Sequence, residues 1–505
     1  MDALFASLQR NVLRSPWKTF IVDDQRRWRG IELWMASREL ARHIAAGSDR
    51  PRIGFMLPTS GLAALTILGI RRLQRTIVPV NYLLPRAERD AVIGHAELDA
   101  IVTVTPMIAR FGELPAGVRP LLLDQMPLGR LSLGLPPGAR VPSAARTSAL
   151  RAHPDDDLAA LLYTSGTSGG PKGVMLSEAN LESNIRQCIA WASLGPEAVF
   201  LGVLPSFHCF GFTVLTLLPL YLGAKVVYTA RFMPGRVLEL LREHRPRVML
   251  AVPSMLGALL RHDQARPEDL ASVKYLVSGG EPLSQDIFDG YRERFGVTLN
   301  EGYGLTETSP VDNWCRPEDH KRGSVGPPLP GIEEKIVSAD GMRLGPGEEG
   351  EIRIKGPNVM RGYYKDDAQT AAAFDEEGFF RTGDIGHLDA DGHLFITGRL
   401  KEMIIIGGEN VFPRVIEEVL NAHPQVAASA VIGISDARRG EMVLAFVEPV
   451  TGAAIDPNAL RAWCRDRLAP YQVPRRVQVI AELPRSPSGK ILKRELRNLA
   501  DDAVQ

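Results

Sequence analysis

Residues 163–173 read Tyr-Thr-Ser-Gly-Thr-Ser-Gly-Gly-Pro-Lys-Gly and follow directly on the apolar run Leu-Ala-Ala-Leu-Leu at 158–162. Four Ser/Thr hydroxyls, four glycines and one lysine share these eleven residues. Glycine permits backbone conformations that aim several amides at one point, and the hydroxyls and ammonium add further donors. The natural guest of such a loop is a polyphosphate. It is not the common P-loop, because Pro171 precedes Lys172 and Gly173 follows it, so the Ser/Thr that would hold magnesium is missing. A flexible Gly/Ser linker is the bland alternative. Linkers rarely stand between an apolar strand and Val174-Met175-Leu176, which here lead into a helix-like polar stretch.

The rest of the chain must supply the body that holds this loop. With 505 residues it is too long for one ordinary core, which predicts two or more domains. Lys+Arg and Asp+Glu balance at 59 each, so no overall basic field points to nucleic acid. The four cysteines, Cys188, Cys209, Cys315 and Cys464, lie far apart and suggest neither a zinc site nor a disulfide framework. They fit a reducing compartment. The first residues, Met-Asp-Ala-Leu-Phe, show no basic stretch followed by a long apolar core, and a cytoplasmic location is expected. The most apolar run, 210–224, is interrupted by Pro219 and Gly223 and reads as a buried helix, not a transmembrane segment.

Short apolar strands at 52–56, 77–80 and 101–104 alternate with helical stretches at 62–72 and 86–95, the pattern of parallel α/β layers. Residues 115–157, rich in Pro, Gly and Arg, read as loops. Strands at 199–204, 225–228, 248–251 and 275–278 continue the series, with helices at 234–243 and 256–261. From about 323 to 355 turns and alternating strands predict a β-rich subdomain. A second, small α+β unit begins near residue 400, with proline at the first helical position of 413–420. The expected organisation is an α/β N-terminal domain over 1–398, a hinge at 399–402 and a mobile C-terminal domain over 403–505.

Four further segments carry chemistry. Glu301-Gly302-Tyr303-Gly304-Leu305-Thr306-Glu307-Thr308 places a ring able to stack on a base beside a carboxylate able to bind a hard cation through oxygen. Read alone, it is also a tight turn between strand and helix. Arg381-Thr382-Gly383-Asp384 offers a carboxylate that can accept from two vicinal hydroxyls. Leu204-Pro205-Ser206-Phe207-His208 brings a histidine to the start of the apolar run, where a pocket lining can begin. Lys490 stands in a loop of prolines, serines and glycine ahead of a basic helix.

Taken in chain order from 163 to 490, these segments resemble the signature motifs of the adenylate-forming superfamily, and in particular its acyl-CoA synthetases. The resemblance covers nearly the whole chain. It implies that Thr164, Ser165, Gly166, Thr167, Ser168, Gly169 and Lys172 wrap the ATP phosphates. Tyr303, between Gly302 and Gly304, is implied to stack on adenine, with Thr306 at the phosphate and Glu307 holding Mg²⁺. Gly280, Glu281 and Pro282 resemble the backbone segment beside adenine, with Gly279 next to the acyl pocket. Asp384 resembles the ribose contact, and Arg399 the second ribose or phosphate contact. His208 is implied to position the substrate carboxylate, and Lys490 to bridge that carboxylate and the α-phosphate. A lysine there offsets charge where two anions meet. Lys401 matches the hinge, and Gly407 with Gly408 the loop that lines the thiol tunnel after domain rotation.

The resemblance further implies activation of a carboxylic acid by ATP, then transfer to CoA. The wording of 301–307 is closer to fatty acyl-CoA synthetases than to aryl ones. Phe207, Phe210, Phe212 and Leu215 are expected to line a medium- or long-chain pocket, with Gly211 and Gly302 leaving room. An acyl carrier protein is the rival acceptor, and a homodimer remains an open option. A phosphotransferase, a luciferase-type oxygenase and an inactive nucleotide-binding homologue are the other readings. The last would be expected to have lost Lys490, Glu307 or Asp384, and all three are present.

Overall fold

The computed structural model describes residues 3–126, 158–164, 170–406, 409–436, 440–485 and 491–502. Two large sheets form its main body. One has eight strands in the order Val311–Trp314, Asn300–Gly304, Tyr275–Gly279, Val248–Ala251, Val199–Gly202, Lys225–Tyr228, Thr19–Val22 and Arg27–Arg29. The inner pairings are parallel and only the two outermost strands run antiparallel. The other has seven strands in the order Gly362–Tyr363, Lys172–Ser177, Leu158–Thr164, Thr76–Pro79, Arg52–Phe55, Ala100–Thr103 and Arg119–Leu122. Central strands such as Val248–Ala251 and Thr76–Pro79 are buried at every position. That is why they read as unbroken apolar runs and not as alternating ones.

The α/β reading holds, and most expected elements lie within a few residues of their observed bounds. The differences have physical reasons. Arg119–Leu122, in the stretch expected to be loop, pairs parallel with Ala100–Thr103 as an edge strand. Its first two residues are exposed, so its sequence carries little apolar signal. Residues 127–157, the rest of that stretch, lie outside the described residues. Near the N-terminus, Thr19–Val22 crosses to the eight-stranded sheet and pairs with Lys225–Tyr228. The apolar run after His208 is helical, with a wide-turn π segment over Phe210–Leu217 that continues as an α-helix over Leu218–Leu222. Thr216 Oγ1 donates to the Gly211 carbonyl at 3.0 Å, five residues back, which suits the wide turn. Among the described residues no helix is long and apolar enough to cross a membrane.

Register explains where chemistry can gather. Val277 to Gly279 pair in parallel with Asn300 to Gly302. The carboxyl ends of these two strands therefore lie side by side, and the segments after Gly279 and Gly304 leave the strands at that end. In open parallel sheets that end is where ligands bind. A third, antiparallel sheet runs Ser324–Gly326, Leu394–Arg399, Phe380–Leu388, Gly350–Lys355, Glu333–Val337. Its register sets Asp384 opposite Arg399.

The small unit is built on Gly440–Pro449, which pairs with Ile404–Ile406, Val426–Asp436 and Arg476–Val479. The helices Pro413–Asn421 and Pro457–Arg465 pack on one face through Ile416, Leu420, Leu460 and Cys464. The helix Lys493–Asp502 covers the other through Leu496 and Ala500. Each face thus has its own apolar cluster, as an α+β unit requires.

Candidate active site

Asp384 is the centre of the arrangement. It is 2% exposed, and two groups meet its carboxylate. The Tyr303 hydroxyl donates to Oδ2 at 2.6 Å. Arg399 Nε lies 2.6 Å from Oδ1. A buried carboxylate needs such partners to offset its desolvation. Burial and the neighbouring Asp384 push the Tyr303 phenol well above its usual range, so it stays a neutral donor. Asp384 in turn pushes the Arg399 guanidinium up. A carboxylate offers about four acceptor sites, so about two remain for hydroxyls of a ligand. Tyr303 is thereby brought to the later pair of adjacent strands that carries Asp384 and Arg399.

The turn Thr306–Thr308 follows immediately. Its Glu307 is half-buried, and Oε1 accepts the Tyr363 hydroxyl at 3.0 Å. Burial raises the Glu307 carboxyl, opposed by Tyr363, Arg399 and Lys172. Lys172 lies 5.3 Å above the Tyr363 ring. Burial and the neighbouring Lys401 lower the Lys172 ammonium, while Glu307 and Asp366 work against that. Lys172, Glu307, Arg399 and Lys401 are therefore electrostatic neighbours. Gly304 is obligatory, since a Cβ would sit 1.6 Å from the Pro310 carbonyl oxygen.

Thr164 and Lys172 pair across antiparallel strands and so bracket the Gly/Ser-rich stretch between them. Ser165, Gly166, Thr167, Ser168 and Gly169 lie outside the described residues, as do Gly407, Gly408 and Lys490. The strands flanking Gly407 and Gly408 pair antiparallel, with Ile406 opposite Glu409. Leading out of the hairpin of Thr164 and Lys172, the helix Glu178–Ala192 is capped reciprocally by Ser177 and Asn180.

Of the acyl-pocket candidates, Phe207 is buried edge-on against Tyr82 at 5.1 Å between ring centroids, and His208 next to it is exposed. Phe210 is half-buried, and a Cβ on Gly279 would meet its ring at 3.1 Å. The aromatic ring therefore covers the bare face of Gly279. Gly280 has φ of +84°, a left-handed turn that carries the chain on to Glu281 and Pro282. Phe212 and Leu215 are corrected: both are 0% exposed in the main core and present no surface to a ligand. Gly211 makes no room for an alkyl chain, because a Cβ there would lie 2.2 Å from the Pro205 carbonyl oxygen. Gly302 makes little, with Val277 Cγ1 at 3.3 Å and the Asn313 carbonyl at 3.4 Å.

Sequence reasoning missed Tyr363, Tyr82 and the polar group under the 306–308 turn. That group is Asp312, Thr308 and Asn358, all three 0% exposed. Tyr363 lies 56 residues from Glu307, so no local pattern joins them. An aspartate in the otherwise core-like Val311–Trp314 was the one available signal for the third.

The AMP-binding enzyme family matches residues 8–364, and the AMP-binding enzyme C-terminal domain matches residues 415–490. A feruloyl-CoA synthase of Amycolatopsis sp is 34% identical over 472 residues, 92% of each chain. A long-chain-fatty-acid–CoA ligase of Bacillus subtilis (strain 168) is 39% identical over 351 residues, which span 68% of this chain and 62% of that relative's length. Among solved structures, ATP-bound MatB from Rhodopseudomonas palustris superposes with a TM-score of 0.86 at 30% identity over 100% of both chains. The chain belongs to the AMP-binding enzymes of the adenylate-forming superfamily, in its family of acyl- and aryl-CoA ligases.

Proposed function

We propose that the protein is an AMP-forming acid–CoA ligase that acts on a medium- or long-chain fatty acid. The observation that carries the nucleotide half of this reading is the buried Asp384, oriented by Tyr303 and Arg399 beside the Thr306–Glu307 turn. The two acceptor sites left on Asp384 suit the ribose hydroxyls, and the Tyr303 ring suits adenine. Lys172, with the residues between it and Thr164, serves the phosphates.

Glu307 would hold the magnesium ion. The donor is an oxygen, as a hard cation requires, and a single carboxylate suffices because magnesium takes its other ligands from phosphates and water. The ion would neutralise phosphate charge. His208 orients the acid at the start of the pocket, and Phe207 and Phe210 wall it.

A carboxylate is a poor electrophile, so the acid first attacks the ATP α-phosphorus. The products are acyl-AMP and pyrophosphate. The CoA thiol then attacks the acyl carbon, AMP leaves, and a thioester remains. Lys490 serves the first step by neutralising the two approaching anions. The hinge at 399–402 then turns the small domain and brings Gly407 and Gly408 to the thiol path. The 39% identity to a long-chain ligase supports a fatty substrate. The second reading is an aryl acid, favoured by the feruloyl relative that aligns over 92% of the chain.

Lys490→Ala separates the two steps. Acid-dependent ATP–pyrophosphate exchange should vanish, while thioester formation from supplied acyl-AMP persists. Equal loss of both would refute the division of labour. Exchange stimulated by cinnamate-type acids and not by fatty acids would move the substrate to the aryl class.

A further inference from the structure

The turn that carries Thr306 and Glu307 rests on a buried polar cluster with no role in the chemistry above. Asp312, Thr308 and Asn358 are all 0% exposed. Asp312 Oδ2 lies 2.5 Å from the Thr308 hydroxyl, and Oδ1 accepts Asn358 Nδ2 at 3.0 Å. Asn358 Nδ2 also donates to the Thr308 carbonyl at 2.8 Å, which uses both of its protons.

The proton count leaves room for a proton on Asp312, although the Leu305 carbonyl also accepts the Thr308 N–H at 3.0 Å. The Thr308 hydroxyl accepts from the Leu305 N–H at 3.1 Å. Its single proton faces three acceptors: the Leu305 carbonyl at 3.0 Å, the Pro310 carbonyl at 3.3 Å and Asp312 Oδ2. If Asp312 brings its own proton, Thr308 is free to donate to Leu305 and both contacts are satisfied. The surroundings favour that state. Burial raises the carboxyl strongly, and the neighbouring acids Glu334 and Asp384 add to that, while the contacts with Thr308 and Asn358 work against it. The other titratable groups near it are Tyr303, Cys188 and Cys209, and all of these are held in their neutral forms by burial. Among the described residues no cation is one of the main charges acting on Asp312. An isolated buried carboxylate neutralises itself where it has no partner of opposite charge.

The cluster also reaches the site. Ser309 Oγ donates to the Asn358 carbonyl at 2.8 Å, and the Met360 N–H donates to the Glu307 carbonyl at 2.7 Å. The same segment continues to Tyr363, whose hydroxyl meets the Glu307 carboxylate. Asn180 Nδ2 fixes it from the other side through the Pro357 and Val359 carbonyls, at 2.9 and 2.7 Å. Asp312 therefore ties the turn and the 357–363 segment into one unit.

We propose that Asp312 is a neutral carboxylic acid that positions the Thr306–Glu307 turn for Mg·ATP, by donating to Thr308 while accepting from Asn358. The proposal rests on the reading of Thr306 and Glu307 as the phosphate and magnesium contacts. It makes Asp312 a positioning residue, since it does not reach the ligand.

The test compares Asp312→Asn with Asp312→Ala in the full-length protein. Asparagine reproduces the neutral acid: its amide donates to Thr308 and its carbonyl accepts from Asn358. The readout is the ATP dissociation constant with and without magnesium, alongside the melting temperature. Asp312→Asn should keep the magnesium-dependent gain in affinity within about threefold of wild type. Asp312→Ala should lose about tenfold of that gain, the worth of one buried hydrogen bond. Affinity without magnesium should change less. An Asp312→Asn protein that melts like wild type but loses the magnesium-dependent gain would overturn the neutral acid. Wild-type magnesium dependence in both variants would overturn the positioning role. Wild-type protein that binds no ATP would instead overturn the nucleotide reading, so the two failures are distinguishable.

Discussion

Replacing Tyr303 by phenylalanine removes one hydroxyl and keeps the ring. That hydroxyl donates to Asp384 at 2.6 Å, and Asp384 is 2% exposed, so water cannot take its place. Arg399 remains on the other carboxylate oxygen. A hydrogen bond to a charged group contributes about 1.5–3 kcal/mol. The contact exists without nucleotide, so most of the loss falls on stability. For a body of this length, that corresponds to about 2–3 °C in melting temperature. Asp384 loses only part of its aim, and ATP affinity should fall by about tenfold or less.

Tyr303→Ala also removes the ring, and base–aromatic stacking is worth about 1–3 kcal/mol more. Burial and Asp384 keep the phenol neutral, so the effect of Tyr303→Phe should not vary between pH 6 and 9. Calorimetric ATP titration and thermal unfolding of both variants give the comparison. Wild-type melting and affinity in Tyr303→Phe would show that the buried contact carries no energy. Equal affinity loss in the two variants would refute stacking by the ring.

Three further outcomes follow from particular contacts. Gly304→Ala drives a Cβ to 1.6 Å from a backbone oxygen, which no rotamer can relieve; it should cost about 3 kcal/mol or more and abolish ATP binding, read by thermal shift and titration. Gly279→Val should displace the Phe210 ring and shift acid preference toward shorter chains, measured as relative kcat/KM over a chain-length series. Burial pushes the Glu334 carboxyl up to about 8, offset only in part by Asn313. Its folded value thus lies above its unfolded one, so the unfolded state binds fewer protons and stability falls as pH rises from about 4.5 to about 8. Glu334→Gln should match wild type near pH 4.5 and melt at progressively higher temperature than wild type up to pH 8. A constant difference would show that Glu334 does not titrate there.

Much of the fold was legible because its strands are buried on both faces. Residues 248–251 read as an unbroken apolar run and 225–228 as one after its leading lysine, and their observed bounds are the same. Thr19–Val22 was not read, because what makes it a strand is its pairing with Lys225–Tyr228, some two hundred residues away. The candidate nucleotide contacts could be named one by one, since each lies in a compact segment. Their convergence was not: the register of Asp384 opposite Arg399 and the approach of Tyr363 to Glu307 exist only in three dimensions. The pocket was read least well. Phe210 and Phe212 are two residues apart in one apolar run, yet Phe210 is half-buried over Gly279 while Phe212 is sealed in the core. Apolar character alone cannot separate a wall from a core, because both exclude water. Gly211 misled for a related reason: the space a glycine leaves had already been taken by the Pro205 backbone.

The most direct test of the central claim is a product balance. The protein would be incubated with ATP, Mg²⁺, CoA and one acid at a time, from short to long fatty acids and including aryl acids. AMP, ADP, pyrophosphate and acyl-CoA would all be quantified. The account predicts equal amounts of AMP, pyrophosphate and acyl-CoA, dependent on a medium- or long-chain fatty acid and absent when the acid is omitted. Formation of ADP, or release of AMP unaffected by any acid, would contradict it.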